Sequence, residues 1–408
     1  METLRIGILT DMCGPVFGGG YQTVLWEIAR RLAKRHTIRI FTSLPQPRLE
    51  VEGVELVRAF PMGPYPDRSG TRGPLQPAIF GPMLAHDPLG PWRPDALLVE
   101  AMPFSHLPFM GRWVRERSFL RLLKVDEAWV HYSPFRGALG PASLRLSRWM
   151  LSQGLAWSDA ALPVSRATAE ALRSGYGYRE VLLFSNGMDV PRLESLLPSP
   201  APPRDLDVIT VGRLVPIKRQ GELLRALGIL ASRGWKGRAA VVGEGPMAPV
   251  LRDALRPLGL EGRVDLPGRV SEARRMEMLS RAKVFVLPSE REGFSLATLE
   301  AMLAGALPVV GRPQFPEVFG AGDLVEEGRT GRCYPVGDPE ALAQVLERAL
   351  ADEGERTRLS SAARARARDF DWDGLVGAFE VELRRRLDAR SSPGAGGPPP
   401  SSSLSVPG

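Results

Sequence analysis

Short apolar runs alternate with amphipathic stretches along most of the chain, the pattern of βα units built around parallel sheets. In the first half, strand-like runs occupy residues 4–10, 37–42, 54–60 and 96–100, and helical periodicity occupies 21–35 and 144–153. Residues 61–94 are rich in Pro and Gly and predict a long irregular insertion. The pattern breaks at 191–203, where Leu-Leu-Pro-Ser-Pro-Ala-Pro-Pro intervenes, and then restarts. Strand-like runs follow at 207–212, 238–243, 263–266, 283–288 and 307–310. Helical stretches lie between them at 219–233, 247–258, 271–281 and 296–304, and further helices are predicted at 339–351, 355–368 and 375–389.

This organisation predicts an α/β protein of two Rossmann-like, doubly wound domains facing across a cleft. A first domain spans 1–190 and a second 191–371. A helix at 372–390 crosses back to the first domain. Residues 391–408, an uncharged Ser/Pro/Gly tail, are expected to be disordered. In doubly wound sheets ligands sit beyond the carboxyl ends of strands and beside helix N-termini, so the site is expected on those loops.

Length and composition agree with this picture. A chain of 408 residues suits two domains, and 44% hydrophobic with 24% charged residues is ordinary for a globular protein. The N-terminus enters a strand-like run at once, without the features of a signal peptide, and no run of about 18 apolar residues occurs, so a cytoplasmic location is expected. A net charge of +7 suits acidic partners such as nucleotide phosphates or anionic lipid, although an Arg-rich composition gives the same value without one. No basic patch studded with aromatics stands out, so nucleic acid is not an expected partner. Cys13, Cys333 and four scattered histidines form no metal-ligand spacing.

The sharpest chemistry lies in Glu-Arg-Glu-Gly-Phe-Ser-Leu-Ala-Thr-Leu-Glu-Ala-Met, residues 290–302. Glu292 follows a strand, and Glu300 falls inside the next helix about one turn from its start. A carboxylate there can accept hydrogen bonds from vicinal hydroxyls such as those of a ribose, at roughly 1.5–3 kcal/mol each. A second segment, Val-Gly-Arg-Leu-Val-Pro-Ile-Lys at 211–218, puts Arg213 and Lys218 at a strand's carboxyl end. An Arg fork and a Lys point charge can neutralise a departing diphosphate without a metal. Gly243 and Glu244 end the next strand, in a sequence that suits close backbone approach to a nucleotide, and Arg269 and Val270 end the one after, where a base could be contacted. Gly18, Gly19 and Gly20 follow the first strand and could cradle a phosphate or admit an acceptor. Taken alone they could equally be an ordinary tight turn. No acidic residue ends the second strand, which argues against a nicotinamide site.

In this order, the motifs Gly-Arg-Leu…Lys, Val-Gly-Glu-Gly-Pro and Glu-Gly-Phe-Ser-Leu-Ala-Thr-Leu-Glu-Ala-Met…Pro-Val-Val resemble family four of the glycosyltransferases across about residues 205–372. The first half matches more loosely, through the glycines, Ser158-Asp-Ala and Ser185-Asn-Gly-Met-Asp. The resemblance implies the GT-B fold. It also implies a retaining transfer by same-face attack, with the leaving phosphate as base, and no bound metal or cofactor. By that resemblance Arg213 and Lys218 hold the donor diphosphate, Glu300 takes the ribose hydroxyls and Glu292 faces the donor sugar. The backbone of Gly293, Phe294 and Ser295, leading into Leu296, touches sugar and phosphate. The family often carries a His at the end of a first-domain strand. The comparable stretch here is Leu-Lys-Val-Asp-Glu-Ala-Trp-Val-His at 123–131, so Asp126, Glu127 and His131 are the candidates for the acceptor side.

Expected partners are a nucleotide-sugar donor and a glycan, lipid-linked or small-metabolite acceptor. Residues 111–124 carry Arg112, Arg115, Arg117, Arg121 and Lys124 with Trp113, Phe119 and Leu120 interleaved. This stretch reads either as a patch for peripheral membrane contact, at the inner face of a membrane, or as a solvated helix face. The Asp-x-Asp repeat at 369–373 lies in a linker between helices and is expected to serve packing, not metal. His36, His86 and His106 are expected to be structural or exposed. Two other function classes carry the same fold features: a nucleotide-sugar epimerase and a non-catalytic nucleotide-sugar-binding subunit.

Overall fold

A computed structural model describes residues 2–13, 20–43, 48–60, 76–131 and 139–391. The chain forms two compact units: residues 1–187 with 372–408, and residues 188–371.

The first unit holds strands β1 (Arg5–Leu9), β2 (Thr37–Ser43), β3 (Arg48–Val51), β4 (Val54–Phe60), β5 (Ala96–Glu100), β6 (Leu120–Val125) and β7 (Ala160–Pro163). They pair in the order β3-β4-β2-β1-β5-β6-β7, all parallel except β3 against β4. Its helices are α1 (Gly20–Leu32), α2 (Gln76–Met83), α3 (Leu107–Arg115), α4 (Leu139–Trp157) and α5 (Arg166–Glu170), which runs into a π-helical turn at Ala171–Gly175. The second unit opens with α6 (Val190–Ser195) and alternates β8 (Leu206–Val211), α7 (Gln220–Ser232), β9 (Ala239–Val242), α8 (Ala248–Asp253), β10 (Val264–Gly268), α9 (Glu272–Arg281), β11 (Ala282–Leu287), α10 (Leu296–Leu303), β12 (Leu307–Arg312) and β13 (Arg332–Pro335). Then come α11 (Pro339–Ala351) and α12 (Glu353–Arg368). Its sheet is parallel throughout, in the order β10-β9-β8-β11-β12-β13. Such strands are covered on both faces and read as continuous apolar runs. Val208, Val241, Val284, Val286 and Val309 accordingly lie buried in one core with Leu223 and Leu227 of α7.

The strand order reverses between β8 and β11 in the second unit, and between β1 and β5 in the first. At such a switch point the loops leaving two adjacent strands turn opposite ways and open a crevice. The last helix, α13 (Trp372–Ser391), belongs to the first unit and packs on α1. Its Phe379 ring lies 4.9 Å from that of Phe184.

Several expectations need correction. Part of the stretch read as an irregular insertion is helical, as α2; residues 61–75 lie outside the described residues, as do Gly18, Gly19 and the tail from 392. Helix α4 extends well beyond 144–153 at both ends, while α8 stops at Asp253. The basic segment 111–124 is not one helix face: it is the end of α3, a turn and most of β6. Its Trp113, Phe119 and Leu120 are buried, Arg117 pairs with Asp87, and Arg121 pairs with Asp159. Those apolar residues serve the core and are not free to meet a membrane.

Candidate functional site

The β8/β11 switch point gathers most of the predicted residues. Beyond β8 the chain runs through Arg213 to a single helical turn at Pro216–Lys218, closed by Arg219 in the left-handed region (φ 50°). Beyond β11 it runs through Ser289 and Glu292 to Ser295, the N-cap of α10, whose hydroxyl accepts from the Thr298 N–H at 3.3 Å. These loops are tied together. The Glu290 N–H donates to the Ile217 carbonyl at 2.9 Å, the Arg219 guanidinium reaches Glu290 at 3.3 Å, and Lys218 Nζ pairs with Glu292. Ser289 Oγ donates to the same Glu292 oxygen at 3.0 Å. Arg213 is exposed and has no ion-pair partner among the described residues. It therefore keeps its positive charge open to an anion.

Two further loops flank the β8 end. Leu214 N–H donates to the Glu244 carbonyl at 2.7 Å, and the Gly243 N–H to the Gly268 carbonyl at 2.9 Å. Gly243 has φ 142°, and a Cβ on it would meet the Gly212 carbonyl at 1.8 Å, so only glycine lets the two loops lie this close. Glu244 and Arg269 are exposed and Val270 is half-buried, just before the Ser271 cap of α9. On the other side, Glu292 exchanges backbone bonds with Val318 and Gly320, at 2.9 and 2.8 Å. A Cβ on Gly320 would stand 1.7 Å from the Gly293 carbonyl. The Glu292–Gly293 backbone is thus clamped. The Phe294 ring turns back towards Phe370, 5.6 Å between centroids, which leaves that residue's backbone as its contribution to the loop.

Glu300 is the fifth residue of α10, and its carboxylate is gripped by Arg275 of α9. Arg275 Nη2 donates to Oε1 at 2.9 Å, and Nε lies 2.7 Å from Oε2. Burial pushes the Glu300 pKa up, and the Arg275 guanidinium opposes that rise. Sequence reasoning missed Arg275, because α9 reads as a generally charged helix and nothing in its spacing singles out one arginine.

In the first unit, Asp126 lies just past the end of β6. Lys124 Nζ holds it at 2.7 Å and also donates to Asn186 Oδ1 at 3.3 Å. The Lys124 side chain is completely buried, 0% exposed, so its charge must be met internally. Glu127 accepts from the Trp129 indole N–H at 2.8 Å, and His131 is exposed. Asp126 is thus fixed by a buried cation.

The aspartates of 369–373 take separate partners. Asp369 pairs with Arg366, Asp371 caps the Val190 N–H at 3.0 Å, and Asp373 pairs with Arg31. Among the described residues, no three His, Cys, Asp or Glu side chains converge as a metal ion would require.

Both halves of the chain resemble known glycosyltransferases. Residues 197–366 match the family described as glycosyl transferases group 1, and residues 19–187 match the glycosyl transferase 4-like domain. The chain is 26% identical over 292 residues to a glycogen synthase of Mycobacterium tuberculosis, covering 70% of this chain and 68% of that one. It is 27% identical over 400 residues to a D-inositol 3-phosphate glycosyltransferase of Xylanimonas cellulosilytica, covering 90% and 92%. Its fold is that of a sucrose-phosphate synthase from Thermosynechococcus elongatus, with a TM-score of 0.76 at 19% identity over 95% of this chain and 100% of the other. With residues 19–187 and 197–366 both matched by glycosyltransferase families, the chain belongs to family four of the glycosyltransferases, enzymes that draw on a nucleotide-sugar donor.

Proposed function

We propose that the chain moves a sugar from a nucleotide-diphosphate donor to a hydroxyl of a glycan, lipid-linked sugar or small metabolite, with retention and without a bound metal. The observation that carries this reading is the ion pair of Lys218 with Glu292 at the β8/β11 switch point, with Arg213 exposed on the same loop after β8. As the bond from the sugar's anomeric carbon to phosphate breaks, its electron pair goes to the diphosphate, and Arg213 and Lys218 stabilise that charge. The acceptor hydroxyl adds from the same face and gives its proton to a leaving phosphate oxygen. Glu292 faces the sugar, where positive charge builds up. Glu300 holds the ribose. Gly243, Glu244, Arg269 and Val270 line the nucleotide side, and residues 293–296 the phosphate side. Asp126, held by Lys124, is the acceptor-side residue.

Peripheral contact with an anionic membrane belongs to this proposal in a revised place. Leu146 and Trp149 on α4 are 55% and 52% exposed, beside exposed Arg145. Co-sedimentation with vesicles containing phosphatidylglycerol, compared with neutral vesicles, tests it: a Trp149→Ala chain that binds both as the parent does refutes it.

The donor is tested by thermal shift with UDP, GDP and ADP sugars. A ligand at 100 times its Kd adds about 2.7 kcal/mol to stability. Proton spectra of the product then read the anomeric configuration, and the same assay in EDTA reads the metal requirement. An inverted product or a strict divalent-cation requirement refutes the corresponding part.

A further inference from the structure

Glu300 is held more elaborately than a ribose contact alone would need. Arg275 approaches both of its oxygens: Nη2 donates to Oε1 at 2.9 Å, and Nε lies 2.7 Å from Oε2 as an ion-pair contact without hydrogen-bond geometry. Only an arginine presents two donors at this fixed spacing. Each carboxylate oxygen has two lone pairs, and the Nη2 bond uses one on Oε1, so at least one on each oxygen stays open to a further donor. Two vicinal hydroxyls are the complement of that arrangement. The Glu300 side chain remains 15% exposed and that of Arg275 24%, so the carboxylate is not sealed by its partner.

The charges around the pair are ordered. On α9, Glu272 stands 3.6 Å from Arg275, and on α6, Arg192 pairs with Glu272 at 2.7 Å, giving the alternating series Arg192, Glu272, Arg275, Glu300 across three elements. Helix α12 also packs on α10, but Arg364 and Arg368 on it turn to Glu194. On the neighbouring strands, Lys283 of β11 pairs with Asp207, and Arg312 of β12 lies over the Phe319 ring. Arg275 is the cation in direct contact with Glu300.

We propose that Arg275 is a positioning residue: it fixes the Glu300 carboxylate for the vicinal hydroxyls of the donor's ribose, and so sets the preference for a ribonucleotide. The inference rests on the assignment of Glu300 to the ribose. Burial alone pushes the Glu300 carboxyl towards its neutral form, in which one oxygen becomes a hydroxyl donor and a weaker acceptor, and Arg275 opposes this. Its removal therefore acts on orientation and on charge together.

The test is calorimetric titration of the intact chain with UDP, GDP and ADP and with the 2′,3′-dideoxy form of each, at pH 6 and pH 9. The parent should prefer the ribo form of its nucleotide at both pH values. Arg275→Met should lose roughly tenfold or more in affinity for that form at pH 6, lose no more than that at pH 9, where higher pH favours the carboxylate, and bind the dideoxy form as the parent does. Arg275→Lys, which keeps the charge but not the fork, should fall between. Equal losses for ribo and dideoxy forms would make Arg275 a merely structural tie and overturn the proposal, as would unchanged or tighter ribo binding. Glu300→Gln separates the two levels. If it erases the ribo preference while Arg275→Met does not, the role of Arg275 is wrong and the ribose assignment stands. If it keeps the preference, the ribose assignment itself falls, and this proposal with it.

Discussion

Lys218 and Glu292, 74 residues apart in sequence, neutralise each other at the head of the second unit's sheet. One is the cation proposed to meet the diphosphate, the other the carboxylate proposed to face the sugar. A donor's phosphates must therefore compete with Glu292 for Lys218. Glu292→Gln should bind a nucleoside diphosphate several-fold more tightly while turning over roughly 10²-fold more slowly, since the freed lysine helps the product state and the lost carboxylate harms the transition state. Titration with the diphosphate beside steady-state kinetics reads both; unchanged diphosphate affinity refutes the competition.

Arg213 has no ion pair to lose among the described residues, so its removal isolates the effect on the leaving group. Arg213→Ala and Lys218→Ala should each lower turnover by roughly 10²–10³. Arg213→Ala should do so with little change in melting temperature. A turnover within a few-fold of the parent would remove that residue from the leaving-group role.

Gly320 tests whether the clamp on the Glu292 loop matters. An added Cβ would lie 1.7 Å from the Gly293 carbonyl, so Gly320→Ala must displace one of the two loops. A cost of about 1–3 kcal/mol is expected from such overpacking, together with a fall in turnover beyond what the loss of folded protein explains. Full activity of the folded fraction would show that the loop tolerates the shift.

The second unit was the more legible half, because β8 to β12 are mostly apolar runs separated by periodic helices. The first unit hid more. In β6, Arg121 and Lys124 break the apolar pattern, yet both charges are met inside the fold, by Asp159 and Asp126. A run of side chains carries no sign that its cations are paired with residues distant in sequence. The same holds for Arg275: its importance lies in which residue α10 brings opposite it, a matter of packing and not of spacing. Strands as short as β7 and β13 offer too few positions for a period to show.

Acid should loosen the first unit before carboxylates titrate. His36 is buried, its Nδ1 accepts from the Leu4 N–H at 3.3 Å, and its Nε2 faces Glu380 of α13 at 3.1 Å. Burial holds its pKa below the ordinary 6.5; Glu380 opposes this, and Arg384 and Arg35 add to it. The unfolded chain therefore takes up a proton first as pH falls through about 6.5, and stability is lost below that point. Burial alone would raise Glu380, but Arg35 and His36 outweigh it, so its contribution is lost in the same direction at lower pH. The melting temperature should fall between pH 7.5 and 5.5, and His36→Gln should flatten that slope. An equal slope in both proteins would place the acid sensitivity elsewhere.

Helix α13 completes a unit whose other residues end at Gly187. Trp372, Val376, Phe379 and Leu383 are buried on it, and Arg31 of α1 and Arg35 of the turn that follows reach it. On the ribosome, the amino-terminal sheet emerges long before the helix that covers it, and the whole second unit is translated in the interval. The half made first is thus the half finished last. A nonsense codon or a protease cut near residue 372 would spare every proposed donor-binding residue of the second unit and still leave the opposite end of the polypeptide exposed to aggregation and degradation.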